Sequence, residues 1–276
     1  MVEPLADLSP IEKLSPRVIR ILGGNPSKFT LQGTNTYIIG TGPSRLLIDT
    51  GDAKPAWLTS LQSVLASENI SIEKALLTHW HHDHIGGVPD LLSVLPKTSV
   101  HKHDPQEGWS DIEHNQVFKV EGATLKAYHS PGHTKDHMAF VLEEEDAMFT
   151  GDNVLGHGTA VFEDLATYVA SLEGMATQFK GRGYPGHGPV IEDGAGRVKE
   201  YIKHRKERER QVVDVLRAKE GGCSAREIVE VIYKNYPRDL WGPAEMGVVQ
   251  ILKKLEGEGK VVLEEGKWRL SGKAAL

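Results

Sequence analysis

Cysteine is what the chain has least of: one residue, Cys223, in 276. A lone thiol closes no internal disulfide and offers no cysteine cluster to a metal. A reducing compartment is therefore the expected setting, and Cys223 reads as a small residue near a turn. Long apolar runs are also missing, and none could cross a bilayer as a helix, so no membrane partner is expected. The leading stretch Met1-Val2-Glu3-Pro4-Leu5-Ala6-Asp7-Leu8 is acidic and lacks arginine. Neither a signal peptide nor a mitochondrial presequence is expected from it, and the location read from the sequence is cytoplasmic.

What is present is the composition of a soluble globular protein, 39% hydrophobic and 25% charged, with enough length for one large core and a small second domain. Charge divides unevenly. Residues 1–195 hold 14 Lys and Arg against 25 Asp and Glu, a net −11, whereas residues 196–276 hold 18 against 13, a net +5. The tail is mildly basic.

The chemistry concentrates in Thr78-His79-Trp80-His81-His82-Asp83-His84-Ile85-Gly86-Gly87. Ala75-Leu76-Leu77 reads as a short buried strand running into it, so these side chains sit in a loop at a strand's carboxyl end. Alternate side chains of an extended segment point the same way. His79 and His81 can therefore meet one metal, leaving Asp83 and His84 free to turn toward a neighbouring ion. Three further candidates follow, each in a loop where a strand ends: His133 in Ser130-Pro131-Gly132-His133-Thr134, Asp152 after Ala147-Met148-Phe149-Thr150-Gly151, and His187 in Tyr184-Pro185-Gly186-His187-Gly188-Pro189. His101, His103, His114 and His129 have no ligand spacing and read as ordinary strand or turn histidines. His82 is expected to point away from the metals and Asp136-His137 to support the site from behind. Asp49, ending the strand Leu46-Leu47-Ile48, is expected to accept from a ligand imidazole.

This set, in this order, resembles the metallo-β-lactamase superfamily, of the glyoxalase-II-like hydrolytic kind with two metals. The resemblance implies that His79, His81 and His133 hold one ion, that Asp83, His84 and His187 hold the other, and that Asp152 bridges them. Zinc is the expected metal, and manganese or iron also suits the ligands. Further stretches, among them Thr30-Leu31-Gln32-Gly33-Thr34-Asn35-Thr36-Tyr37 and Gly151-Asp152-Asn153-Val154-Leu155-Gly156, are similar to two related groups. One is the fungal thioesterases that release aromatic polyketides from acyl carrier proteins; the other is the animal lactamase-like endoribonucleases. The resemblance implies hydrolysis by water acidified between two cations, with Asp83 as proton acceptor. His157, in Gly156-His157-Gly158-Thr159, is the residue outside the ligand set expected to meet substrate, and a histidine there is closer to the thioesterases than to the endoribonucleases. The expected partner is thus an acyl-carrier-protein-bound or small-molecule thioester, with RNA as the alternative; a homodimer is compatible with either.

Strands are expected over residues 17–21, 34–39, 46–48, 99–103, 113–120, 125–128 and 138–142, with amphipathic helices over 55–67 and 88–95. Trp57 reads as core. Strands followed by helices, twice over, give an α/β protein with two facing sheets and helices on both outsides, an αββα sandwich over residues 1–195. After a glycine-rich joint at 191–196, the tail predicts a charged helix through residue 216, a helix opened by the capping box Ser224-Ala225-Arg226-Glu227, a third helix over 243–255, and a hairpin across Glu264-Glu265-Gly266. That is a winged-helix-like domain over residues 196–276. Its candidate recognition helix offers mainly Lys253 and Lys254 among Glu245, Glu256 and Glu258, thin for tracking phosphates. The module is expected instead to close over the metal cleft.

Overall fold

A computed structural model describes residues 5–272. Met1-Val2-Glu3-Pro4, half of the stretch behind the targeting expectation, lies outside the described residues, as do residues 273–276. The first sheet runs β1 (Ile11–Ser15), β2 (Val18–Leu22), β3 (Asn35–Ile39), β4 (Ser44–Ile48), then helix α1 (Pro55–Glu68), β5 (Ser71–Leu77), the helical turn α2 (His82–Ile85), α3 (Val88–Val94) and β6 (Ser99–Lys102). The second contains β7 (Val117–Val120), β8 (Ala123–His129), β9 (Met138–Leu142) and β10 (Ala147–Gly151), followed by α4 (Leu165–Met175) and β11 (Gly183–Pro185). Strand order is β1-β2-β3-β4-β5-β6 in one and β11-β10-β9-β8-β7 in the other.

Alternation along the strands decides what each face buries. Tyr37, Ile39, Leu46, Ile48 and Leu76 of the first sheet face Leu125, Met138, Phe140, Leu142 and Phe149 of the second in one cluster. Their neighbours Ile38, Leu47 and Ala75 point outward and pack with Trp57, Leu61 and Val64 of α1. Across the molecule, Ala139, Val141 and Met148 cover Leu165, Tyr168 and Leu172 of α4. The αββα sandwich follows from these three layers of contact.

Strand direction gathers the site. β4 runs parallel to β5, and β10 runs parallel to β11. β8 and β10 share a direction because each is antiparallel to β9 between them. The carboxyl ends of β4, β5, β8, β10 and β11 therefore deliver Asp49, His79, His133, Asp152 and His187 to one rim of the sandwich.

Four features differ from the sequence reading. β1 precedes the expected opening strand and pairs antiparallel with β2 at the sheet edge. The metal motif is not all loop: the chain turns into α2 directly after His81, whose carbonyl accepts from His84 N at 2.9 Å. α4 had no sequence prediction, although Asp164 caps it by accepting from Thr167 N at 2.7 Å. The glycine-rich joint is the first turn of α5 (Gly194–Ala218), capped by Asp193 accepting from Gly196 N. The expected boundary between residues 195 and 196 thus falls inside one continuous helix. Gly194 and Gly196 are helical there because an aspartate satisfies the N-terminal donors, which outweighs the weak helix preference of glycine.

Beyond α5, α6 (Ala225–Ile232), α7 (Trp241–Gly257) and the hairpin β12 (Val261–Glu264) with β13 (Lys267–Leu270) form the C-terminal module. Both halves of the Ser224/Glu227 capping box are present. Ile228, Val248, Leu252, Leu255 and Val261 close its core onto Val212, Val215 and Leu216 of α5. Buried Cys223 exchanges two backbone hydrogen bonds with Trp268. Among the described residues no helix is long and apolar enough to cross a membrane.

Trp57 is fully buried and donates its indole N–H to Thr36 Oγ1 at 2.9 Å. Replacing Trp57 with alanine is expected to lower unfolding free energy by about 3–5 kcal/mol, read by denaturant titration.

Candidate metal centre

Four residues, His79, His81, His133 and Asp152, each bring one ligand atom within 4.8 Å of the others, and Asp83, His84 and His187 form a second such group. All seven residues singled out in the sequence therefore meet. Asp152 touches both groups: its Oδ2 lies 3.2 Å from His187 Nε2 and 3.7 Å from His133 Nε2, and its Oδ1 lies 3.5 Å from His84 Nε2. Gly186 makes this approach feasible, since a Cβ there would lie 2.3 Å from Asp152 Oδ1.

The donor set fits a cation because the imidazoles are held from outside. His133 Nδ1–H donates to the Val161 carbonyl at 2.8 Å. Asp49 Oδ2 accepts from His84 Nδ1 at 2.7 Å. The Thr78 hydroxyl spends its one proton on Asp49, so at 2.9 Å it accepts from His79 Nδ1. His187 Nδ1 faces the Gly33 carbonyl at 3.4 Å. A neutral imidazole that donates from one nitrogen leaves a lone pair on the other. His79 Nε2 and His133 Nε2 accordingly turn inward, 2.9 Å and 3.1 Å from His81 Nδ1. Converging lone pairs repel one another unless a cation sits among them. His84 Nε2 and Asp152 Oδ1 are likewise buried without a hydrogen-bond partner, a costly state for polar atoms that a metal would relieve.

The two groups differ in charge. Burial, then the neighbouring imidazoles of His84 and His133, hold His79 well below the ordinary histidine range, and burial with His133 lowers His81. For His84 burial also lowers the pKa, but Asp152, Asp49 and Asp83 outweigh it and raise the group well above its usual value. His187 follows the same logic: burial lowers it, Asp152 and Asp83 more than compensate, and its pKa is raised to about 9. Asp83 is pushed up by burial and down, more strongly in sum, by His84 and His187, so it stays ionised. Thr34 Oγ1 donates to Asp83 Oδ2 at 3.0 Å.

His157 lies half-buried on the wall of a cavity of about 370 Å³ that also exposes Asp83, Asp152, His81 and His133. Its rim is apolar: Phe29 is 78% exposed and Val161 66% exposed, with Leu31 and Leu155 beside them. His82 points outward toward Asp52. His137 stands behind the site, its Nε2 accepting from Asp152 N at 3.1 Å, while Asp136 turns away to Lys102. His101, His103, His114 and His129 belong to neither group.

The tail departs from expectation. Among the described residues none that lines this cavity lies beyond His187, so the described part of the C-terminal module does not close over the cleft. Instead α5 braces the cavity wall from outside. Arg197 and the Tyr201 hydroxyl both donate to the Gly158 carbonyl, at 3.0 Å and 2.8 Å, and Arg205 donates to the Ala160 carbonyl at 2.8 Å. Lys254 of α7 is held between Glu209 and Glu258 at 2.7 Å and 2.6 Å. Thr34, Thr78 and the α5 braces escaped the sequence reading, because a hydroxyl or guanidinium aimed at one carbonyl leaves no spacing pattern.

A sandwich of this topology with His and Asp clusters at one rim defines a class: residues 29–202 match the metallo-beta-lactamase superfamily and residues 224–268 the beta-lactamase associated winged helix domain. The chain belongs to the metallo-beta-lactamase superfamily. It is 47% identical to a protein of Aspergillus chevalieri named atrochrysone carboxyl ACP thioesterase, over 94% of this chain and 87% of that one. It is also 47% identical to the lactamase-like protein ptaB of Pestalotiopsis fici, over 94% and 86%. Among solved structures, a beta-lactamase domain protein from Burkholderia ambifaria superposes with a TM-score of 0.80 at 17% identity, over 96% of each chain; that likeness concerns the fold.

His187, with a pKa near 9 in the metal-free protein, carries at pH 7 a proton that a metal must displace, as does His84; His79 and His81 carry none. Metal content after dialysis is therefore expected to rise from about one ion per chain near pH 6 to about two near pH 9, with proton release on loading the second. Equal filling of both groups at every pH would contradict this assignment.

Proposed function

We propose that the protein is a thioesterase that hydrolyses the thioester of an aromatic polyketide carried on an acyl carrier protein. The observation that carries the reading is the pairing of the His/Asp groups with an apolar cavity mouth, in a chain whose relatives of nearly equal length include carboxyl ACP thioesterases. His79, His81 and His133 would hold one divalent cation, Asp83, His84 and His187 the second, with Asp152 shared between them. Zinc is the metal these donors suit best, and manganese or iron is accommodated by the same set. When bound, such a pair supplies Lewis acidity and lowers the pKa of water from about 15.7 toward about 7.

The chain's own residues do the rest. Asp83, ionised and fixed by Thr34 Oγ1, accepts a hydrogen bond from the attacking water and takes its proton. Phe29, Leu31, Leu155 and Val161 line the mouth by which the thioester approaches and thin the water around it. His157 stands on the same wall to orient the acyl group. A carboxylate held below its usual range is ionised and has no proton to give a leaving group. That suits a thiolate leaving group, the conjugate base of a thiol with pKa about 8.5, better than an alkoxide. Residues 1–195 serve as the catalytic domain and residues 196–276 as the domain that braces it.

Incubation with acyl carrier protein bearing an aromatic acyl thioester should release the free acid, and chelation should stop the release. Asp83→Asn is expected to lower kcat by about 10²–10⁴-fold, and His157→Ala to raise KM more than it lowers kcat. Absence of acid release from metal-loaded protein that cleaves RNA would replace this reading with the endoribonuclease one.

A further inference from the structure

A second cavity, of about 800 Å³, lies beside the first and is lined by Trp80, Ile85, Trp109, Lys135, Asp136 and Glu163 among others. Three segments supply residues to both cavities. Trp80 lines the second and its neighbour His81 the first, their rings 4.5 Å apart. His133 lines the first and Asp136, three residues on, the second; Val161 and Glu163 divide in the same way. The two spaces therefore back onto each other along a shared wall at the metal ligands.

The lining of the second cavity is built for a flat, oxygen-bearing molecule. Trp80 is 53% exposed, an unusual position for an indole with no structural partner at its outer face. Trp109 is anchored by packing against Leu77, Val88 and Val100. Polar groups stand around these rings. Asp136 is buried, its Oδ2 lies 2.6 Å from Lys102 Nζ, and its Oδ1 has no hydrogen-bond partner. Lys102 spends its remaining protons on the carbonyls of His103 and Asp104 at 2.7 Å and 3.0 Å. Lys135 and Glu163 are exposed and, among the described residues, form no ion pair. Indole faces take aromatic rings, an ammonium takes a carbonyl or phenolate oxygen, and a carboxylate takes a phenolic hydroxyl.

We infer that this cavity is a subsite for the ring end of a hydroxylated aromatic acyl group whose thioester carbonyl reaches the metal groups past Trp80 and His81. The inference rests on the thioesterase reading and adds the residues that select the acyl group. Trp80 and Trp109 stack on the rings, Lys135 meets a ring oxygen, and Glu163 accepts from a ring hydroxyl. Short aliphatic acyl groups gain nothing from these contacts, so the subsite acts on selectivity.

Two measurements on the full chain test it. The first compares kcat/KM for a hydroxynaphthoyl thioester and an acetyl thioester of the same small thiol. Trp109→Ala and, separately, Lys135→Glu should each lower the hydroxynaphthoyl-to-acetyl ratio about tenfold. The second titrates free hydroxynaphthoate into metal-free protein and follows tryptophan fluorescence. Saturable quenching is expected, with Kd raised about tenfold by Lys135→Glu, a surface change that leaves packing intact. An unchanged ratio and unchanged quenching in both variants would overturn the subsite even where thioesters are hydrolysed. Failure to hydrolyse any thioester would remove the reading on which it rests, while the titration would still report whether the cavity takes such a molecule.

Discussion

Three of the inward-facing imidazole nitrogens are available because the opposite nitrogen is committed elsewhere. His133 gives its outer N–H to the Val161 carbonyl, His84 to Asp49, and His79 to a Thr78 hydroxyl whose own proton is taken by Asp49. The acceptors sit on other elements: Asp49 at the end of β4, in the left-handed region at φ 58°, and Val161 in the loop ahead of α4. The tautomers are thus set by how the two sheets and their loops meet. A change that moves Asp49 disturbs two ligands at once, since its carboxylate binds Thr78 and His84 together. Such outer contacts are usually worth nearly as much to a metal as the ligands themselves.

The electrostatics have a division of labour. Burial holds His79 and His81 below the ordinary histidine range, whereas His84 and His187, beside Asp49, Asp83 and Asp152, are raised above it. Protons on the imidazoles balance those carboxylates in the metal-free protein, and a cation takes over that balance on loading. The His84 and His187 imidazoles in turn keep Asp83 ionised.

The ligands were legible because spacing alone carries them: alternate residues of an extended segment share a face, and each later ligand follows an apolar strand. The sheets were legible for a related reason, as short apolar runs such as Met138-Ala139-Phe140-Val141-Leu142 between polar segments fit strands buried on both faces. What escaped was whatever depends on single contacts between distant segments. α4 hid because its cap, Asp164, lies among residues with no strong helical period. The start of α5 hid because two glycines ordinarily signal a break, and only the Asp193 cap overrules them. The backbone carbonyls of Val161, Gly158 and Ala160 have no signature at all. The tail, expected to cover the cleft, instead reaches two residues of one loop from outside through side chains of α5.

α5 is a rod of 25 residues, roughly 37 Å at 1.5 Å per residue. Near its beginning Arg197, Tyr201 and Arg205 grip the loop that aims His133, and near its end Val212, Val215 and Leu216 form part of the core of the C-terminal module. The two halves of the polypeptide are therefore not tenants of a shared chain that could be parted at will. The distal half is a lever whose short arm rests on the loop carrying Val161, the residue that orients His133.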